Sequence, residues 1–160
     1  MINIAIQTED FDVAQVQRQV YQLGLNIGAV VSFVGLVRAH NGQPSSQTDV
    51  APISKMHLEH YPMMAEKCIY EIAELASQRY QLQAVSVIHR VGELAAGEQI
   101  VLVLSAAAHR QAAFDGCQMV MDYLKSDAPF WKKEYTAVGE YWVEAKSSDM
   151  QAKQYWEQSQ

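Results

Sequence analysis

Apolar residues alternate from Ile2 to Ile6 and then recur as Val13, Val16, Val20 and Leu23, behind Asp10 or Asp12 as a cap and ahead of Gly24 as a stop. That change of period predicts a strand followed by a helix. Residues 28 to 37 are β-branched and largely apolar, which reads as a central strand buried on both faces that delivers Arg38 to its end. Residues 39 to 54 carry the Asn-Gly, Pro and Ser content of a long loop, a candidate lid over Arg38. Alternation returns from Lys55 to Tyr61. Pro62 then opens a helix to about Tyr80 with Ile69, Ile72, Ala73 and Ala76 as its buried stripe.

The second half repeats the pattern in shorter units. Ala84 to Val91 predicts a strand, Gly92 to Gly97 a turn, and Gln99 to Ala108 a Val- and Leu-rich strand that completes a hairpin. A helix follows from about His109, with Ala113, Cys117, Val120 and Leu124 in period until Pro129 forbids its continuation. Phe130 to Val138 and Glu140 to Lys146 predict a closing hairpin that turns at Gly139, and a short polar helix ends the chain. Neither repeats nor a linker interrupt this series. It predicts one α/β (α+β) domain over residues 1–160, with a mixed, antiparallel-rich sheet and packed helices.

The composition of these 160 residues, 49% hydrophobic and 19% charged, is enough for a real core without disulfide or metal staples. A net charge of −6 argues against a nucleic-acid scaffold, so an anion that binds here should be small. The N-terminus lacks a basic region ahead of a long apolar run, and no stretch approaches 18 apolar residues, which predicts a cytoplasmic protein. Cys68 and Cys117 sit among apolar neighbours on two helices, with no Cys-x-x-Cys pair, and read as buried inert thiols.

Against that acidic background, Asp122 to Glu134 gathers Lys125, Lys132 and Lys133. Pro129 turns the chain between Lys125 and Lys132, so their amines can converge on one small anion. They could instead complement the helix dipole and remain in water. Two neighbouring ammonium groups penalise each other's charge and lower proton affinity from about 10.4, which suits proton transfer; held charged, they would stabilise an anionic transition state. His109 and Arg110 stand where a strand hands over to a helix, a natural anion site, unless Arg110 simply makes a surface ion pair. His57 and His60 have the spacing of a metal pair, but on a strand they project to opposite faces and lack further ligands; His40 and His89 have no evident role. Trp131, Trp142 and Trp156 read as core or interface aromatics, with Trp131 fixing the direction of Lys132.

Five ordered blocks carry a family resemblance: Phe33-Val-Gly-Leu-Val-Arg-Ala-His-Asn41, Leu58-Glu-His-Tyr-Pro62, Val87-Ile-His-Arg-Val-Gly-Glu93, Ala108-His-Arg110, and Met121-Asp-Tyr-Leu-Lys125 with Ala128-Pro-Phe-Trp-Lys132. From about Gly28 onward the chain resembles the large, catalytic subunit of molybdopterin synthase. The resemblance implies an α/β hammerhead-type fold and a sulfurtransferase that converts cyclic pyranopterin monophosphate to molybdopterin. Two sulfurs would come from the thiocarboxylated C-terminal Gly-Gly of a small ubiquitin-like subunit, within a heterotetramer built on a homodimer in which one protomer completes the other's site. It implies catalytic roles for Lys125 and Lys132 and substrate contacts from Arg38, His109 and Arg110, from Leu36 and Val37, and from Lys133 and Glu134. No metal and no cofactor is implied. Family members often carry a lysine two positions before the arginine, where this chain has Leu36. The competing reading of the same cations is a non-catalytic module that holds a phosphometabolite or a partner's tail.

Overall fold

A computed structural model describes residues 1–24, 26–39, 52–143 and 147–158. In chain order they form β1 (Ile2–Gln7), α1 (Val13–Tyr21), β2 (Ala29–Leu36), β3 (Ile53–His60), α2 (Pro62–Tyr80), β4 (Ala84–Arg90), β5 (Gly92–Ala95), β6 (Gln99–Ala107), α3 (Arg110–Asp127), β7 (Phe130–Thr136), β8 (Gly139–Val143) and α4 (Ser147–Gln158). The strands divide into two four-stranded sheets, ordered β1-β4-β6-β2 and β5-β3-β7-β8. The first is mixed, because β1 runs parallel to β4 while β4, β6 and β2 pair antiparallel. The second is antiparallel throughout.

Helix ends follow local chemistry. The Asp12 carboxylate accepts from the Gln15 amide at 3.1 Å and starts α1, the N-cap role expected of a short acidic side chain. Pro62 occupies the first turn of α2, which stops where Gln81 turns left-handed at φ 52°.

Three sequence expectations change. The strand buried on both faces is β6: Leu102, Leu104 and Ala106 pack under α1 with Val16 and Val20, while Val101, Val103 and Ala107 pack against α2 and α3. The stretch at 28 to 37 forms the edge strand β2 instead, with Phe33 and Leu36 exposed. An apolar run reports how much a strand buries but not which strands flank it. Gly92 to Ala95, expected as part of a turn, is a strand that pairs with β3, and the turn is confined to the residues around Gly97 at φ 88°. The expected single sheet is divided in two, and the chain passes from one to the other after Arg90, the last residue of β4. Its buried guanidinium donates to the carbonyls of Thr8 and Gln99, both at 3.1 Å, and lies 3.6 Å from both Asp10 and Glu98. The chain leaves the first sheet there and starts β5 in the second.

Of the three tryptophans only Trp156 is core, at 5% exposure; Trp131 and Trp142 are about half exposed. Trp156 donates from Nε1 to Asp122 at 2.9 Å, and Lys153 reaches Asp127 at 2.9 Å, so α4 is fastened to the last turns of α3. Among the described residues no helix is long and apolar enough to cross a membrane.

Candidate active site

A cavity of about 710 Å³ opens at the seam between the two sheets, below the C-terminal end of α3. That volume falls within the range of small-molecule sites. The end of β2 brings Leu36 and Arg38 to it, the last turn of α3 brings Lys125, and β7 brings Lys132 and Glu134. Apolar side chains, among them Phe33, Met56, Met121 and Phe130, form the rest of the wall. Cations on an apolar floor attract an anion more strongly than they would in open water, since the low-dielectric wall screens them less.

The strand period of two explains the choice made along β7. Lys132 and Glu134 share a face, and their Nζ and Oε1 lie 3.3 Å apart with Glu134 only 5% exposed. This carboxylate fixes Lys132; Trp131, expected to do so, points to the exposed face. Lys133 lies on that opposite face too, 2.9 Å from Glu140 and over the rings of Tyr135 and Trp142. The Glu140 hydrogen bond raises its pKa. Val37 is buried with Met56, Leu58 and Leu94 and lines no part of the cavity. His109 and Arg110 are exposed at the start of α3, so Arg110 is about 22 Å from Lys125 along the helix at 1.5 Å per residue. Within one chain they do not meet the lysines.

The remaining candidates fall elsewhere. His57 lies 3.5 Å from Glu59, while His60 stacks on Phe130 at 6.1 Å. His40 and most of the expected loop, residues 40–51, lie outside the described residues. Cys117 is buried as expected, which pushes its thiol up to about 11, whereas Cys68 is only partly buried, its thiol raised less far and its Sγ 3.6 Å from the Asp127 carbonyl.

The structure adds a residue that no spacing rule singled out. His89 lines the cavity and stacks on Phe130 with ring centroids 3.9 Å apart at 10°. Burial lowers its pKa from 6.5 to about 4. Between those values the unfolded chain binds the extra proton, so stability is full above about pH 6.5 and declines as the pH falls toward 4. Chemical denaturation is expected to show about 2–3 kcal/mol more acid destabilisation in wild type than in His89→Gln over that window; parallel curves would contradict the shift.

Fold and cavity together define an α+β protein with a cation-lined cavity where its two sheets meet. The chain belongs to the MoaE family, whose profile, described as MoaE protein, matches residues 6–127. The molybdopterin synthase catalytic subunit of Pseudomonas aeruginosa is 49% identical over 155 residues, covering 97% of this chain and 99% of that protein. Its counterpart of the same name from Vibrio cholerae is 48% identical over 154 residues, covering 96% and 97%. Among solved structures, the molybdopterin biosynthesis MoaE protein from Burkholderia ambifaria superposes with a TM-score of 0.80 at 44% identity, covering 98% and 99% of the two chains.

Proposed function

We propose that this chain is the catalytic subunit of molybdopterin synthase, a sulfurtransferase that adds two sulfurs to cyclic pyranopterin monophosphate in the cytoplasm. The sulfur donor is the C-terminal thiocarboxylate of a small ubiquitin-like subunit. The observation that carries the reading is the convergence of Arg38, Lys125 and Lys132 on one cavity. Substrate phosphate and thiocarboxylate are both anions, and their approach in a partly apolar site needs cations to offset the repulsion. Lys132, held by Glu134, suits a fixed electrostatic role; Lys125, exposed on the last helical turn, suits contact with the arriving tail.

The length of α3 favours a homodimer within a heterotetramer: His109 and Arg110 could serve the same ligand only from a second copy. A single domain over residues 1–160 accommodates this arrangement. The decisive experiment incubates the protein with the cyclic pterin and thiocarboxylated partner and reads product mass. A partner that leaves with its thiocarboxylate intact would reduce the chain to a binding module.

Sulfur that arrives on a partner needs no thiol here. The Cys68→Ala/Cys117→Ala variant is expected to keep turnover within about threefold of wild type, since both thiols are held protonated at neutral pH. A loss of two orders of magnitude in a folded variant would place a sulfur carrier on this chain.

A further inference from the structure

His89 is a cavity group to which the sulfur-transfer reading gives no task. Its Nδ1 lies 2.8 Å from the carbonyl oxygen of Arg90. A carbonyl only accepts, so Nδ1 carries the hydrogen and Nε2 keeps its lone pair. The Arg90 carbonyl is a firm anchor, because that residue's own side chain is buried and bonded to two further carbonyls. Phe130 fixes the plane of the imidazole by close parallel stacking, and His60 flanks the other part of that aromatic group. Among the described residues no buried side-chain nitrogen lacks a partner, and Nε2 makes no hydrogen bond to any of them. Nε2 therefore keeps accessible surface, and the opening that His89 lines is the cavity.

The other polar groups there are unsuited to what this nitrogen can do. Arg38, Lys125 and Lys132 are donors, fitted to phosphate, thiocarboxylate and ring carbonyl oxygen. Glu134 accepts, but it is engaged by Lys132 and its negative charge would repel both anions. A reduced pterin also carries ring N–H groups, which need an acceptor once water is displaced.

The geometry points to His89 as a specificity-determining residue, whose Nε2 accepts a hydrogen bond from a ring N–H of the pterin while the cations hold its anionic parts. This rests on the pterin reading proposed above. The lowered pKa is consistent with it, since an imidazole that stays neutral at pH 7 remains an acceptor. Phosphate recognition, by contrast, does not depend on His89.

The test titrates the full chain with cyclic pyranopterin monophosphate and, separately, with inorganic phosphate. His89→Phe keeps the stacked ring and removes the acceptor; His89→Gln returns an amide near the position of Nε2. Pterin affinity is expected to fall about tenfold in His89→Phe and to recover to within about threefold in His89→Gln, with phosphate affinity unchanged in both. In wild type, nitrogen NMR of the imidazole should show an unprotonated Nε2 whose resonance moves on addition of pterin but not of phosphate. This last measurement decides the matter even if a variant fails to fold. Equal pterin affinity in wild type and folded His89→Phe, or an Nε2 resonance indifferent to pterin, overturns the role of His89 alone. Failure of wild type to bind the pterin at all overturns the functional reading, and the ring contact with it.

Discussion

Turnover by Lys125→Ala is expected to fall about 10²–10⁴-fold below wild type with thiocarboxylated partner and pterin in excess. Thermal stability should hardly move. Lys125 is exposed on the last turn of α3, where loss of an ammonium group costs little beyond a weak interaction with the helix dipole. Lys132→Ala should lose comparable activity and should also lower stability by about 1 kcal/mol, because the buried Glu134 carboxylate gives up its 3.3 Å contact with the ammonium group. Near-normal turnover by either folded single variant would remove that lysine from the chemistry. Calorimetry beside a product assay separates the two effects.

Leu102→Ala is expected to produce a large loss of stability. Leu102 is fully buried in the middle of β6, with sheet neighbours on both edges and α1 across its face. Removing three carbons from such a site costs about 2–5 kcal/mol, as lost transfer energy plus the void that β6 cannot collapse to fill. For a chain of this length that corresponds to a fall of about 5–20 °C in Tm. The side chain lies on the sheet face away from α3, so kcat measured well below the new midpoint should stay close to wild type. A fall below about 1 kcal/mol would mean that this layer repacks freely.

The helices and the closing hairpin were legible because their signals are local. Pro62 opens α2, Pro129 follows α3, and Gly139 marks the β7–β8 turn, each fixing a boundary within a residue or two. What escaped was lateral. Nothing within residues 28 to 37 says that this segment takes an edge while 99 to 107 takes the centre, because the alternation of side chains encodes faces and leaves neighbours unspecified. A strand as short as Gly92–Ala95 has too few positions to show a period at all. The candidate site divides along the same line. Lys125 and Lys132 flank a proline in one short segment, so their convergence could be anticipated; Lys133 is excluded by simple alternation along β7. His89 acquires its environment only when Phe130, some forty residues later, folds over its ring.

The fastening of α4 onto α3 gives the molecule an optical handle. Trp156 is shielded between Asp122 and the edges of Tyr80 and Tyr155, whereas the other two indoles face solvent. Acrylamide should therefore quench most of the intrinsic fluorescence and leave a residual emission from this one residue. Because Asp122 sits one turn before Lys125, that residual light reports on the seating of the active-site helix without any dye or label.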